Sequence, residues 1–154
     1  MSTEAPPDWL FALIPAVWLV GFPLLWLAVM FLLSRISGWS TLAHTYKEQQ
    51  PFAGEVQRRC SGTLGFVGYN KCLVLGANEQ GLHIAVPKIF AFGHPALFVP
   101  WSDVRASRKR RFSIPTVGFE LGRAPSITLR VHRRFSDKLE SDARENLRIA
   151  PEPE

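Results

Sequence analysis

The first 34 residues of the chain contain no Lys or Arg, and the stretch from Trp9 to Leu33 also lacks Asp, Glu, His, Asn and Gln. All 18 Lys and Arg of the chain follow Leu33, together with all but two of its 13 Asp and Glu. The sequence therefore divides into an apolar N-terminal segment and a basic remainder. A remainder of about 120 residues is enough for one modest core, and two globular domains would not fit.

Cysteine is scarce, since Cys60 and Cys72 are the only two. Two are too few for the disulfide framework of a small secreted domain, and they suit a reducing compartment. Cys60, Cys72, His83 and His94 follow one another at intervals of eleven or twelve residues, without the close pairs of a zinc site. We expect no metal and no cofactor, with the thiols filling the core and His83 on the wet face of a strand.

Motifs of nucleotide-binding proteins and of hydrolases are missing, because the chain contains no G-x-x-x-x-G-K, G-x-G-x-x-G or G-x-S-x-G. The acidic residues of the domain are few and scattered, so a paired-carboxylate mechanism is not indicated. The sequence thus predicts a protein that is not an enzyme. Nucleic acid is not an expected partner either, since the basic segment around Arg108 has no interleaved aromatic residues on which bases could stack.

The apolar stretch from Trp9 to Leu33 is long enough to cross a membrane. As a helix it would measure roughly 37 Å, against about 30 Å for the hydrocarbon core of a bilayer. It is apolar on every face, unlike the core helix of a small soluble protein. It has no basic residues before it and no small-x-small cleavage site after it, which favours a retained anchor over a cleaved signal peptide.

Several residues suggest how this anchor is placed. Trp9 and Trp39 lie near its two ends, where indole rings favour the edge of the bilayer. Ala12 and Ala16 form a small-xxx-small pair that would let another helix approach closely, although such pairs are frequent in apolar sequence. Because Arg35 follows the span and no basic residue precedes it, residues 1–8 are expected outside. The domain is expected in the cytoplasm, at the inner (plasma) membrane.

Residues 34–51 continue the chain as a juxtamembrane helix or linker. Ile36, Trp39, Leu42, Ala43 and Tyr46 recur at intervals of three and four residues, which predicts a short amphipathic helix. It either lies along the membrane surface or packs on the domain, and the pattern does not choose between them. Pro51 ends it in both cases.

Beyond Pro51 the hydrophobic period becomes two, which is typical of short antiparallel strands. Turns are predicted at Gly68–Asn70 and at Asn78–Gly81. An amphipathic C-terminal helix follows, with Phe135, Leu139, Ala143 and Leu147 on one face and Ser136 as its N-cap. The predicted strands are Glu55–Leu64, Lys71–Gly76, Leu82–Val86, Ala96–Val99, Arg105–Ser113, Val117–Leu121 and Ile127–His132.

The segments Gly81–Val86 and Leu97–Val104, with Pro100-Trp101-Ser102-Asp103 as the most recognisable part, resemble the small pleckstrin-homology-like (PH-like) domains of bacterial membrane proteins. The resemblance implies a mainly-β domain of about seven antiparallel strands over residues 52–148, closed by the C-terminal helix and followed by a flexible tail at 149–154. In Pro100–Asp103, proline would interrupt strand pairing, Trp101 would fill the core or a rim, and Asp103 would bind nearby amides. Domains of this kind mostly bind lipids, peptides or proteins, so the resemblance implies binding.

Arg105 to Arg134 carries nine Lys or Arg against a single acid, Glu120. Arg35 and the run Arg108, Lys109, Arg110 and Arg111 are therefore candidate contacts for anionic lipid headgroups, and a solvated strand face is the alternative. Specific phosphoinositide binding is not expected, because only Arg58, Arg59 and Lys71 occupy suitable strands.

Two functions remain. The first is a membrane-tethered, noncatalytic binding or adaptor module that sits at the lipid bilayer and contacts either anionic lipid headgroups or a partner protein. The alternative is an accessory subunit that helps to assemble a larger membrane complex through its transmembrane helix.

Overall fold

The structure is a computed structural model that describes residues 8–111, 114–123, 125–132, 137, 139 and 149–150. Its first element is helix α1, Asp8–Ile36, which continues through Pro15 and Pro23. Gly38 then adopts a positive φ of 78°, which ends the helical path and lets the chain turn into helix α2, Trp39–Tyr46. The predicted anchor is thus followed at once by a separate short helix.

The rest of the described chain is dominated by one β-sheet. Seven antiparallel strands occur where the sequence predicts strands, with ends that differ by up to four residues. A parallel pairing with β5 adds the two-residue strand β8. The strands are β1 Val56–Leu64, β2 Val67–Ala77, β3 Gly81–Ala85, β4 Leu97–Pro100, β5 Val104–Arg111, β6 Ile114–Leu121, β7 Ile127–His132 and β8 Ile149–Ala150.

The strand order, β4-β3-β2-β1-β7-β6-β5-β8, requires the sheet to curl. β4 lies at one edge and β5 near the other, yet only the short 3₁₀ helix Trp101–Asp103 joins them. Three residues of this kind rise only about 6 Å, so the two edges must meet at this corner. The sheet is consequently almost a closed barrel, and its interior contains the largest buried side chains, among them Phe119, Leu75 and Ile84.

The turn between β1 and β2 is at Gly65-Phe66, and the predicted turn at Gly68–Asn70 is wrong. Leu64 pairs with Val67, and Gly65 has a φ of 56°, as a two-residue hairpin with glycine first requires. Tyr69 instead lies within β2 and is buried. Burial of its ring is worth more than the turn propensity of its neighbours, which is why local composition misplaced the turn. The second predicted turn is confirmed, since the Asn78 N–H donates to the Gly81 carbonyl.

Helix α2 packs on the domain, which decides between the two positions that the sequence left open. Trp39 and Leu42 are buried in the core, and Tyr46 packs against it. The expectation that Trp39 lies at the edge of the bilayer is therefore wrong, because its side chain has no exposed surface. A helix of eight residues is stabilised mainly by such packing.

The linker after α2 covers the outer face of β3. The Glu48 carboxylate accepts a hydrogen bond from His83 Nδ1 at 3.0 Å, and Phe52 stacks on the same imidazole with 4.7 Å between ring centroids. His83 is consequently buried, and its assignment to a wet face is wrong. Strand alternation correctly separated the two faces of β3, but it could not reveal that the linker returns over the outer one.

The predicted C-terminal helix falls almost entirely outside the described residues. Of its four apolar positions, the structure describes Leu139, which is buried in the core. Ile149 and Ala150, which the sequence assigns to a terminal tail, pair in parallel with Ala106 and Ser107 of β5.

Candidate membrane-proximal site

The end of α1 is joined to the domain by buried polar and aromatic residues, which we call the junction: Ser34, Ser37, Trp39, Tyr69 and His94. The Ser34 hydroxyl donates to the Gly93 carbonyl, and the Trp39 indole N–H donates to the Pro95 carbonyl at 2.8 Å. Both acceptors belong to the connection between β3 and β4. The helix is thereby attached to the sheet by contacts far apart in sequence.

Tyr69 and His94 form the hydrogen-bonded centre of the junction. His94 Nδ1 lies 3.2 Å from the Phe92 carbonyl, which can only accept, so this nitrogen carries the proton. Nε2 is then the acceptor for the Tyr69 hydroxyl, at 3.1 Å. Burial lowers the pKa of His94 and raises the pKa of Tyr69, which keeps both groups neutral. Trp39 contacts both rings, with centroids 5.0 Å from His94 and 5.7 Å from Tyr69.

A second set of contacts holds the far end of α2. The Asp103 carboxylate accepts from Arg123 Nε and from the Tyr46 hydroxyl, each at 2.9 Å. These bonds, with that of Arg123 the largest cause, lower the pKa of Asp103. With a further bond from the Ser102 hydroxyl at 3.3 Å, the carboxylate binds three other side chains, whereas the sequence predicted bonds to amides. Trp101 is buried as predicted, and its indole N–H donates to the Asn78 carbonyl at 2.8 Å.

The predicted headgroup residues lie in two separate places. Arg35 is exposed in the last turn of α1, where its guanidinium lies 4.8 Å from the centroid of the Phe31 ring. Arg108–Arg111 form the end of β5 that pairs with the beginning of β6. The opposite end of this hairpin, where Val104 pairs with Leu121, adjoins Gly122, which lies against Tyr46 of α2. Seven strand positions, about 23 Å, separate Arg111 from that end.

Arg59 and Lys71 are exposed on β1 and β2, and both have positive φ, at 58° and 55°. The register of the two strands shifts beside them, between Gln57 and Gly62. Next to this irregularity, the Ser61 hydroxyl accepts from the Lys71 N–H at 2.9 Å. The structure thus places these cations on a local bulge, and the contact of Arg58, Arg59 or Lys71 with a ligand stays a prediction.

Burial makes the two thiols of the domain weak nucleophiles. Cys60 is buried, Cys72 is half-buried, and burial raises the pKa of both thiols. A thiol with a raised pKa is a weak nucleophile. Within the described part of the chain, no three His, Cys, Asp or Glu side chains are close enough to hold a metal ion.

One helix among the described residues is long and apolar enough to cross a membrane, with a suitable stretch at Leu13–Ile36. Its large side chains are exposed on several faces, including Trp9, Val17, Trp18 and Leu19. Ala12 and Ala16 both lie on this helix, and Ala16 is exposed, while contact of this pair with a second helix stays a prediction.

Sequence reasoning missed the junction. Ser34 and Ser37 are small polar residues directly after an apolar run. Their position was the one sequence signal that could have indicated a contact between the end of α1 and the domain. Ser34 binds Gly93 and Trp39 binds Pro95, at separations of 59 and 56 residues, so no local pattern could pair them. Comparison with known proteins adds no assignment, because no family model matches the chain and no curated protein is significantly similar to it.

Proposed function

We propose that this protein is a membrane-tethered, noncatalytic binding module. In this proposal α1 spans the bilayer and the junction holds the β domain directly against one membrane surface. The observation that carries the proposal is the contrast along α1: its apolar side chains are exposed over most of its length, and only its last turns bury one face, with Met30 and Ser34, against the domain. An amphipathic core helix would bury one stripe along its whole length.

The charges beside the anchor determine which side of the membrane the domain faces. Arg35 follows the span, and the described domain surface carries further exposed cations such as Arg58 and Lys71. Positively charged flanks favour retention in the cytoplasm, so residues 1–8 face outward and the domain faces the cytoplasm in this proposal.

The proposed class of domain is PH-like. This class is supported by seven antiparallel strands in one strongly curled sheet and by the buried Trp101 at the corner between its edges. The noncatalytic role is supported by the buried, hydrogen-bonded state of His83 and His94 and by the raised pKa of the cysteines. Such a scaffold presents surfaces for partners, and the fold alone does not select one.

The proposal is tested with a chimera of the full chain. Residues 9–25 are exchanged for an unrelated apolar helix of equal length, and Trp26–Ser37 is kept because this part contacts the domain. A binding module is expected to stay in the membrane after alkaline carbonate washing and to capture the same partners from native membranes as the original chain. Loss of those partners in the intact, membrane-bound chimera would instead support the accessory subunit, which acts through its span.

A separate prediction concerns the basic end of the β5–β6 hairpin. If Arg108–Arg111 touch headgroups, amide hydrogen exchange in β5 is slower in nanodiscs of anionic lipid than in zwitterionic ones, and the difference disappears at high salt. Changing Arg108, Lys109, Arg110 and Arg111 to Gln abolishes the difference, whereas the control pair Arg58→Gln and Arg59→Gln retains it. Equal exchange of the original chain in both lipids would assign the run to a solvated strand face.

A further inference from the structure

The connection between β3 and β4 extends along the apolar helix. Phe90, in the short 3₁₀ helix Lys88–Phe90, packs against Trp26 of α1 with 5.8 Å between ring centroids. Gly93, three residues later, is held by Ser34. Trp26 and Ser34 are eight residues apart on α1, which corresponds to about 12 Å. The connection therefore follows roughly two turns of the helix, away from the domain and toward its N-terminus.

The same two turns of α1 expose large apolar side chains on their other faces. Val29, Phe31 and Leu32 are between 40% and 57% exposed, and Ile36 beyond them is 52% exposed. If the hydrocarbon ended before Trp26, these side chains would face water, and the span from Asp8 to Leu25 would reach only about 27 Å. A crossing of about 30 Å requires these turns. Residues that pack beside these turns of α1 therefore lie at the same depth in the bilayer.

The exposed residues of the connection have the composition that this depth requires. Ile89 is 69% exposed and Phe92 is 52% exposed, with Ala91 exposed between them. Lys88 precedes them and has a stem long enough to carry its ammonium group back to the headgroups. In water, two large apolar side chains on one loop beside an apolar helix would be unfavourable.

The backbone of the connection is also suited to a lipid environment, where non-helical peptide groups need protein partners. Pro87 and Pro95 lack an N–H, and the carbonyls of six residues accept hydrogen bonds. Three acceptors lie within the turn itself, from the N–H groups of Phe90, Ala91 and His94. The other three are bound by junction side chains: Phe92 by His94, Gly93 by Ser34 and Pro95 by Trp39.

We infer that residues 87–93 form a wedge that inserts into the bilayer beside α1, with Ile89 and Phe92 in contact with lipid acyl chains. The wedge and α1 together make two contacts with the membrane, which restrict the tilt of the domain relative to the bilayer. The inference rests on the proposed membrane anchoring and adds to it a fixed orientation. The lipid bilayer is the occupant of this surface.

The test uses the full chain in nanodiscs, labelled at single cysteines with an environment-sensitive fluorophore. Cys72 is first changed to Ser, and Cys60 is kept because it is fully buried. Labels are placed by Phe92→Cys and Ile89→Cys, with Leu25→Cys in α1 as the lipid reference. Gln80→Cys, in the exposed turn between β2 and β3, is the aqueous reference.

Labels at 89 and 92 are expected to emit at shorter wavelength than the label at 80. They should lose most of their emission to lipid-borne nitroxides, as the label at 25 does, and resist quenching by iodide. If they behave like position 80 while position 25 remains in lipid, the wedge is wrong and the anchor stands. If position 25 also behaves like position 80, the proposed anchoring fails. Shielding of 89 and 92 from both quenchers would indicate a protein cover and would overturn the lipid assignment.

Discussion

Replacing Trp39 with alanine is expected to lower the free energy of unfolding of the domain by about 3–5 kcal/mol. Trp39 is fully buried, contacts the rings of Tyr69 and His94, and donates to the Pro95 carbonyl. The substitution leaves a cavity and removes the donor of a buried carbonyl, and both effects are unfavourable. The measurement is thermal unfolding of the full chain in detergent, where the midpoint should fall by roughly 12 °C or more.

Trp39→Phe is the matched variant for this prediction. It keeps most of the aromatic volume and removes the indole N–H, so a smaller loss of about 1–3 kcal/mol is expected. The unfolding midpoint should fall from the original chain to Trp39→Phe and further to Trp39→Ala. The comparison of the first two can be made even if the alanine variant does not fold. Unchanged melting of Trp39→Ala would place the side chain at the bilayer edge, as the sequence alone suggested, and would contradict the junction.

Replacing Gly65 with alanine is expected to destabilise the contact between the β1–β2 hairpin and the end of α1. Gly65 has a positive φ, which costs a residue with a Cβ about 1–2 kcal/mol. A Cβ at this position would also lie 2.6 Å from the Ser37 carbonyl oxygen, so the backbone at the junction must shift. We expect a lower unfolding midpoint and faster amide exchange in the hairpin.

Gly68→Ala is the control on the same hairpin. Gly68 is exposed, its φ is not in the left-handed region, and a Cβ there has no neighbour within 4 Å. The substitution is expected to be neutral or slightly stabilising, because alanine loses less backbone entropy than glycine on folding. Equal melting of the two alanine variants would show that the hairpin does not approach Ser37 closely.

Both substitutions test how firmly the domain is attached to the end of α1. Trp39 belongs to the helical part of the junction, and Gly65 lies in the turn between β1 and β2 that approaches Ser37. If both lower the unfolding midpoint while the chain stays in the membrane, the domain is held rigidly at the end of its anchor. A rigid connection is what the proposed insertion of residues 87–93 requires, since a freely rotating domain could not keep the wedge beside Trp26.

By itself the sequence determined the apolar helix and the approximate positions of the seven strands. Length and composition are sufficient for the helix, because twenty or more apolar residues are recognisable without any neighbour. Strand alternation is equally local, so β7 was predicted at Ile127–His132, the bounds that the structure has. The interruption of strand pairing at Pro100 was predicted for the same reason, and β4 ends at this proline.

Only the tertiary structure decided which segments of the chain pack against one another. Trp39 looked like a residue of the bilayer edge and His83 like a surface residue, because their partners come from distant segments: the β3–β4 connection for Trp39, and the linker at Glu48 and Phe52 for His83. Hydrophobic periodicity records which side of an element is apolar, but it does not record which other element covers that side. The proposed membrane depth of residues 87–93 follows the same rule, since their apolar side chains indicate it only together with the packing of Phe90 against Trp26 of α1.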